Sequence, residues 1–312
     1  MEDEAAFGIA GPVSWPQAVV SWSGTIGADI SAKTILRYQT SLRIVRPFLE
    51  HLNLHMITPA VLRDMVSSRK RHAVSNATIR RDLTAVSSVF AAAVNANLTE
   101  RNPAKELDRK RLAPERLHKI VLPREESLAR MRAAVPARWQ DMMDFARNRG
   151  LRLEEITSLT RDAIDRKNKL LTVEYGKGNK LRVVPLDADD IRLLDRQPPY
   201  LTKPLIFWQG KGEQIINFSS RWGGYRSRVA QRGAQQNDGF IGFRFHDLRH
   251  LFAVEYLRYR RGSVYDLQAE LGHDSITTTE RYLGFLTPEE TRVAKQGVAQ
   301  IGAHAVGSKV KR

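Results

Sequence analysis

Apolar residues recur at helical spacing through the first hundred positions. Ile35, Leu36, Leu42, Val45, Phe48, Leu49 and Leu52 form one stripe, which predicts an amphipathic helix over 32–52 capped by Ser31. Pro47 lies inside it and predicts a kink or break. Thr58 before Pro59 reads as a cap with proline at the first helical position, opening a helix to about Ser68. Ser75 or Asn76 starts another that reaches about Asn95, with Ile79, Leu83, Val86, Val89, Phe90 and Val94 inward. Arg80 and Arg81 occupy its other face. The stretch 1–31 precedes the first clear helix.

Beyond Asn102-Pro103 the pattern breaks. Residues 101–124 hold Arg109-Lys110-Arg111, Pro114 and Pro123, and read as an extended basic linker. Helical spacing resumes over 125–134 and 137–148, with Gly150 suited to a helix end, and again over 153–160. The period then changes to two: 170–174 and 181–185 flank Tyr175-Gly176-Lys177-Gly178-Asn179-Lys180, the pattern of a β-hairpin with a glycine-rich turn. Further helices are predicted over 218–231, 246–260, 265–271, 276–283 and 288–300, before a mobile tail at 309–312. The expected fold class is mainly α with a small antiparallel hairpin or sheet. The expected organisation is a helical domain over 1–108, a basic linker over 109–122 and an α+β domain over 123–312.

The 312 residues carry a formal net charge of +16. A surplus that large favours a polyanionic partner, because lysine and arginine contacts to phosphates release counterions. A basic surface without such a partner, or one for anionic membranes, stays open on charge alone. Candidate phosphate contacts are Arg69, Lys70 and Arg71, Arg80 and Arg81, and Arg109, Lys110 and Arg111; the alternative for each is a solvated face. Cysteine is absent, which excludes disulfides, thiolate catalysis and cysteine zinc sites. The start, Met1-Glu2-Asp3-Glu4, lacks the basic opening and apolar run of a signal peptide, and no stretch is apolar enough to span a bilayer. A soluble cytoplasmic chain, with no membrane partner, is the expectation.

Breaking a phosphodiester needs a nucleophile, charge stabilisation on the non-bridging oxygens, and a proton for the leaving oxygen. Arginine suits the second task through its planar fork. Arg152 and Arg249 are the candidates, the latter because it interrupts an apolar helix beside Leu248, Leu251 and Phe252. His246 precedes Arg249 by three residues and shares its face. Glu155, one turn after Arg152, can hold its guanidinium or His246 in place. Lys177 at the hairpin tip is either a plain turn lysine or a general acid whose pKa neighbouring cations depress. Tyr282 is the candidate nucleophile, against the common role of tyrosine in packing. His246 and His250 are also spaced as two zinc ligands, with His273 a third; Asp247 stands where a zinc protease has glutamate, and the basic charge has no place in that account.

Taken in order, Gly150-Leu151-Arg152 with Glu155, Gly176-Lys177-Gly178, His246-Asp247-Leu248-Arg249, Leu271-Gly272-His273 and Tyr282 resemble the motif series of the tyrosine recombinases of the phage-integrase family. The match covers about 123–286, and the helices before it resemble the family's core-binding domain less specifically. The resemblance implies a two-domain clamp on DNA and a metal- and cofactor-free reaction. Tyr282 would attack the scissile phosphate and form a 3′-phosphotyrosyl link. Arg152, Arg249 and His273 would bind the phosphate, Lys177 would protonate the leaving oxygen, and His246 would assist proton transfer. It further implies double-stranded DNA with specific sites as partner, a homotetramer on DNA from a monomer in solution, a Holliday-junction intermediate, and accessory DNA-bending or directionality proteins. The helix after the tyrosine would dock on a neighbouring protomer or pack on its own domain. The stretch 1–31 is short for the arm-binding module many such integrases carry. A type IB topoisomerase-like enzyme and a non-catalytic DNA-binding relative are the alternatives.

Overall fold

A computed structural model describes residues 12–26, 30–115, 120–175, 180–236, 238–259 and 261–296. The chain divides into two compact units, 1–118 and 119–312.

The first unit is helical. α1 (Trp15–Thr25) opens at Ser14, whose hydroxyl accepts from Gln17 N–H while the Gln17 side chain accepts from Ser14 N–H. Such reciprocal capping settles two of the free N–H groups at a helix start. No helix was expected before residue 31. Its two tryptophans, Trp15 and Trp22, are each 2% exposed and give the helix an apolar edge that sequence spacing did not reveal. α2 (Ala32–Leu49) has the expected Ser31 cap and runs through Pro47. α3 (Pro59–Arg71) and α4 (Asn76–Asn95) start at the expected caps Thr58 and Ser75. Leu42, Val45, Leu62, Val66, Ile79 and Phe90 meet in one core. Within the expected linker, Arg109–Leu112 form a helical turn, α5, capped by Asp108.

The second unit begins with α6 (Glu125–Ala134), α7 (Ala137–Arg149) and the short α8 (Leu153–Thr157). A three-stranded antiparallel sheet follows, in the order β1 (Ile164–Asp165), β2 (Leu170–Tyr175), β3 (Lys180–Pro185). Val173 pairs with Arg182, and Leu171 with Val184. α9 (Ala188–Asp195), capped by Asp187, was not expected; neither was the small hairpin β4 (Trp208–Gln209) and β5 (Glu213–Gln214). α10 (Phe218–Gln236), α11 (Asp247–Arg258), α12 (Val264–Leu271), α13 (Ile276–Glu280) and α14 (Pro288–Gln296) complete the unit. Trp139 of α7 stacks on Phe218 of α10 at 4.1 Å, near the centre of the larger core. A second core joins Phe252, Leu257, Leu267, Leu271 and Tyr282 to Ala294 of α14. That last helix therefore packs on its own unit, and Arg258 reaches its Glu290 at 3.6 Å while donating to the Phe285 carbonyl just before it at 3.0 Å.

The expectation of one helix over 276–283 is corrected. α13 stops at Glu280 and Arg281–Phe285 form a 3-10 turn, so Tyr282 sits on a tighter coil beside the core. Among the described residues, no helix is long and apolar enough to cross a membrane.

Candidate active site

Gly150 ends α7 in the left-handed region, φ +62°, and Gly272 ends α12 the same way, φ +64°. Each turn exposes carbonyls at a helix C-terminus, the negative end of the helix dipole. Those carbonyls hold the two arginines. Arg249 is 1% exposed and donates to Gly150 O at 2.8 Å and Leu271 O at 2.7 Å. Arg152 donates to Leu271 O at 3.4 Å and Gly272 O at 3.2 Å. The peptide of Leu271 thus serves both guanidiniums. A Cβ on Gly150 would lie 2.3 Å from Phe252 Cδ1, so the turn leaves room for glycine alone.

Glu155 supplies the single carboxylate of this cluster. It accepts from Arg152 at 2.9 Å through the guanidinium and at 2.7 Å through the backbone N–H. Arg182 reaches it with a two-pronged pair at 2.8 and 2.9 Å and also donates to Glu270 O at 2.9 Å. Arg249 stands 4.0 Å away. Burial works to raise the pKa of Glu155, but the Arg182 hydrogen bonds and charge outweigh it and hold the carboxyl below its ordinary value. Arg152, Arg182 and Arg249 thus gather around the Glu155 carboxylate, and guanidiniums clustered in this way suit a phosphate. Burial, then the charge of Arg152, pulls Arg249 down to about 9.

The imidazoles line the same pocket. His273 follows Gly272 and its Nδ1 lies 2.8 Å from Thr279 Oγ1; burial, Arg249 and Arg152 depress it to about 3. Tyr282 is 3% exposed, and its ring faces that of His273 at 6.4 Å between centroids. Its hydroxyl lies 2.9 Å from His250 Nδ1. Burial, followed by His246, lowers His250 to about 4, and burial raises Tyr282 against the opposing pull of Arg249. His246 packs edge-on against His250, 4.8 Å between ring centroids, and burial with Arg249 depresses it too. Asp247, the residue that departs from the zinc-protease pattern, is buried and accepts from Arg244 N–H at 2.7 Å and its guanidinium at 2.8 Å, fixing the start of α11. Among the described residues, no group of three or more carboxylates and imidazoles has the placement of a metal site.

The fold therefore gathers Arg152, Glu155, His246, Arg249, His273 and Tyr282 into one pocket. Lys177 lies outside the described residues. Two members had no role in the phosphodiester scheme drawn from sequence. Arg182 sits on the inward face of β3 with Val184, and a single arginine among strand valines was its only signal. His250 stood in the sequence only as half of a zinc-spaced pair.

The basic clusters of the first unit divide. Lys70, Arg71, Arg81, Lys110 and Arg111 are exposed. Arg69 instead pairs with buried Asp82 at 3.1 Å, Arg80 donates to Ala113 O at 3.3 Å, and Arg109 donates to Ala104 O at 3.1 Å and Thr84 Oγ1 at 3.3 Å. These three guanidiniums are engaged within the unit itself, and Arg109, largely through burial, has its pKa lowered.

Residues 111–286 match the phage integrase family, and residues 26–97 match the phage integrase N-terminal SAM-like domain. Tyrosine recombinase XerC of Roseiflexus castenholzii is 26% identical over 274 residues, covering 81% of this chain and 83% of that protein. XerC of Xylella fastidiosa is 30% identical over 237 residues, covering 72% and 75%. Among solved structures, the Tn1549 transposon integrase in complex with circular intermediate DNA superposes with a TM-score of 0.68 at 16% identity, covering 88% of this chain and 97% of that one. A lambda integrase tetramer bound to a Holliday junction gives 0.67 at 19% identity, covering 87% and 78%.

Proposed function

The chain belongs to the phage integrase family of tyrosine site-specific recombinases, and from that premise we propose that it cuts and rejoins duplex DNA through a covalent link to Tyr282. The observation that carries this is the cluster of arginines beside a hydrogen-bonded tyrosine. Arg152 and Arg249 bind the non-bridging oxygens of the scissile phosphate, and His273 adds a third contact. Fixed donors of this kind favour the transition state because they need no rearrangement as charge develops. Tyr282 attacks, leaving a 3′-phosphotyrosine and a free 5′-hydroxyl, and Lys177 supplies the proton for the leaving oxygen. Glu155 and Arg182 are positioning residues that keep Arg152 aimed. Bond energy stays in the phosphotyrosine, so a 5′-hydroxyl of a partner strand reverses the step.

The related lambda integrase was solved as a tetramer on a Holliday junction. The same assembly on paired sites is the expectation for this chain, with accessory DNA-bending or directionality proteins as further partners. The exposed lysines and arginines of the first unit provide phosphate contacts along the duplex.

Covalent trapping tests the proposal. Wild type and Tyr282→Phe are incubated with fragmented genomic DNA, denatured in detergent, and the attached DNA is sequenced. Adducts in the wild type alone, clustered at one sequence, are expected. Adducts in Tyr282→Phe would remove Tyr282 from its role. Adducts scattered over all sequences would point to topoisomerase-like nicking and closing, and tight binding without adducts to a non-catalytic relative.

A further inference from the structure

The resemblance implies that His246 assists proton transfer at the tyrosine or the phosphate, yet the hydrogen bond of the tyrosine runs to His250. The hydroxyl of Tyr282 and Nδ1 of His250 are 2.9 Å apart. Tyr282 is 3% exposed, so solvent competes little for that hydroxyl. In the tautomer that carries its proton on Nε2, His250 presents Nδ1 as an acceptor for the phenol O–H. The His273 ring stacks on the phenol ring at 6.4 Å between centroids, and His246 stands edge-on to His250 at 4.8 Å. His250 is thus the side chain whose basic nitrogen touches the candidate nucleophile.

We propose that His250 receives the Tyr282 proton as the phosphate is attacked and returns it when the strands rejoin. This rests on the recombinase reading above. In the forward step the Oη–H bond breaks, its proton passes to Nδ1, and its electron pair forms the Oη–P bond. The P–O5′ bond breaks, its pair leaves on O5′, and that oxygen takes the proton of the leaving-group acid, assigned here to Lys177. In rejoining, the 5′-hydroxyl gives its proton back to Lys177 and forms the O5′–P bond, the Oη–P bond breaks, and protonated His250 returns its proton to the departing phenolate.

The charged and titratable groups around His250 are His246, Asp247, Arg244 and Arg249 from its own segment and Tyr282 from the facing 3-10 turn. Burial, with the charges of His246, Arg244 and Arg249 outweighing that of Asp247, holds the imidazole neutral and weakly basic, so the nucleophile is stored protonated. A phosphodiester anion between Arg152 and Arg249 offsets their charge, and the phenol oxygen becomes a stronger acid as its bond to phosphorus grows. Transfer is thereby tied to the presence of substrate.

The test is single-turnover adduct formation and rejoining on the duplex recovered by trapping, for wild type, His250→Asn and His250→Phe. Asparagine places an acceptor oxygen near the Nδ1 position and takes no proton; phenylalanine fills the ring volume and offers neither. Both variants are expected to slow cleavage and rejoining alike by about 100-fold or more, the usual contribution of a general base. DNA affinity and the adduct fraction at equilibrium should stay as in wild type. A 5′-bridging phosphorothiolate, whose leaving sulfur needs no proton, should rescue Lys177→Ala and not His250→Asn. Cleavage by His250→Asn within a few-fold of wild type overturns the proposal, as does its rescue by the sulfur. Should the phenylalanine variant fail to fold, the asparagine variant carries the test. A wild-type chain that forms no adduct on any DNA removes the recombinase reading and this proposal together, whereas normal wild-type cleavage with an indifferent His250 removes this proposal alone.

Discussion

Replacing Glu155 by glutamine tests the charge accounting of the pocket. The substitution keeps the side chain's shape and one acceptor oxygen but presents an amide N–H₂ to cations. Arg182 is the most exposed to the change: its side chain is 5% accessible and both its prongs end on this carboxylate, at 2.8 and 2.9 Å. Removing one partner of a buried ion pair costs about 3–5 kcal/mol. The retained acceptor places Glu155→Gln at the lower end, about 3 kcal/mol. The sign of the pH dependence follows from the depressed pKa of Glu155. Its contribution is complete above the ordinary carboxylate value of about 4.3 and is lost as pH falls through the lower folded value. Hydrogen exchange through a urea series, read from peptides of α7, β3 and α11, reports the second unit by itself. The gap between wild type and variant should hold steady from pH 5 to 8 and narrow in stronger acid. The variant also loses one negative charge from among the arginines, so sulfate should stabilise it more than wild type. A loss below about 1 kcal/mol at pH 7 is what an exposed pair would give; that result, or a gap indifferent to acid, would refute the view that one carboxylate holds the arginines.

Gly150→Ala forces a Cβ to 2.3 Å from Phe252 at a left-handed φ of +62°; strain and overpacking together should cost about 2–4 kcal/mol by the same exchange measurement. Arg249→Lys cannot span Gly150 O and Leu271 O with a planar fork, so adduct formation should fall about 100- to 1,000-fold, as for loss of one oxyanion donor, with duplex affinity nearly unchanged in a filter-binding assay. Because His250 and His273 are depressed to about 4 and about 3, the unfolded chain takes up protons first as pH drops. Stability should be full above about pH 6.5 and decline below it, by at most about 1.4 kcal/mol per pH unit for each histidine; His273→Gln should reduce that slope in acid urea titrations. Duplex affinity should fall steeply with added salt, and a flat response would count against phosphate contacts by the exposed lysines and arginines.

Helical periodicity and capping residues made α2, α3 and α4 legible, since Ser31, Thr58 and Ser75 all accept the backbone N–H they were expected to accept. Part of the candidate site stood out for a different reason: Arg152, His246 and His273 each sit beside a helix-ending glycine or a helix start. α1 escaped because it spans only 11 residues and buries a narrow edge centred on its tryptophans. α9 escaped because its first turn, Asp187 to Asp190, reads as an acidic loop until the reciprocal cap of those two aspartates is visible. The break before Tyr282 left no trace in apolar spacing, because Tyr282 and Leu283 would face a core in either coil. Arg80 and Arg109 looked like surface cations in one dimension; the carbonyls of Ala104 and Ala113 that engage them come from 5 and 33 residues away. His250 gained a partner 32 residues distant, a separation no local period reports.

The anchoring of both phosphate-pocket arginines on the Leu271 peptide has a consequence for damaged or incompletely folded chains. The exposed lysines and arginines proposed to contact DNA lie in the first unit, and α12 lies in the second. Loss of α12 from its seat would release Arg152 and Arg249 at one stroke while those cations remained in place. Such a chain would still cling to the duplex, yet it would be unable to open a phosphodiester. The enzyme is thereby built to fail in the harmless direction, because the authority to break a chromosome depends on one helix end being home.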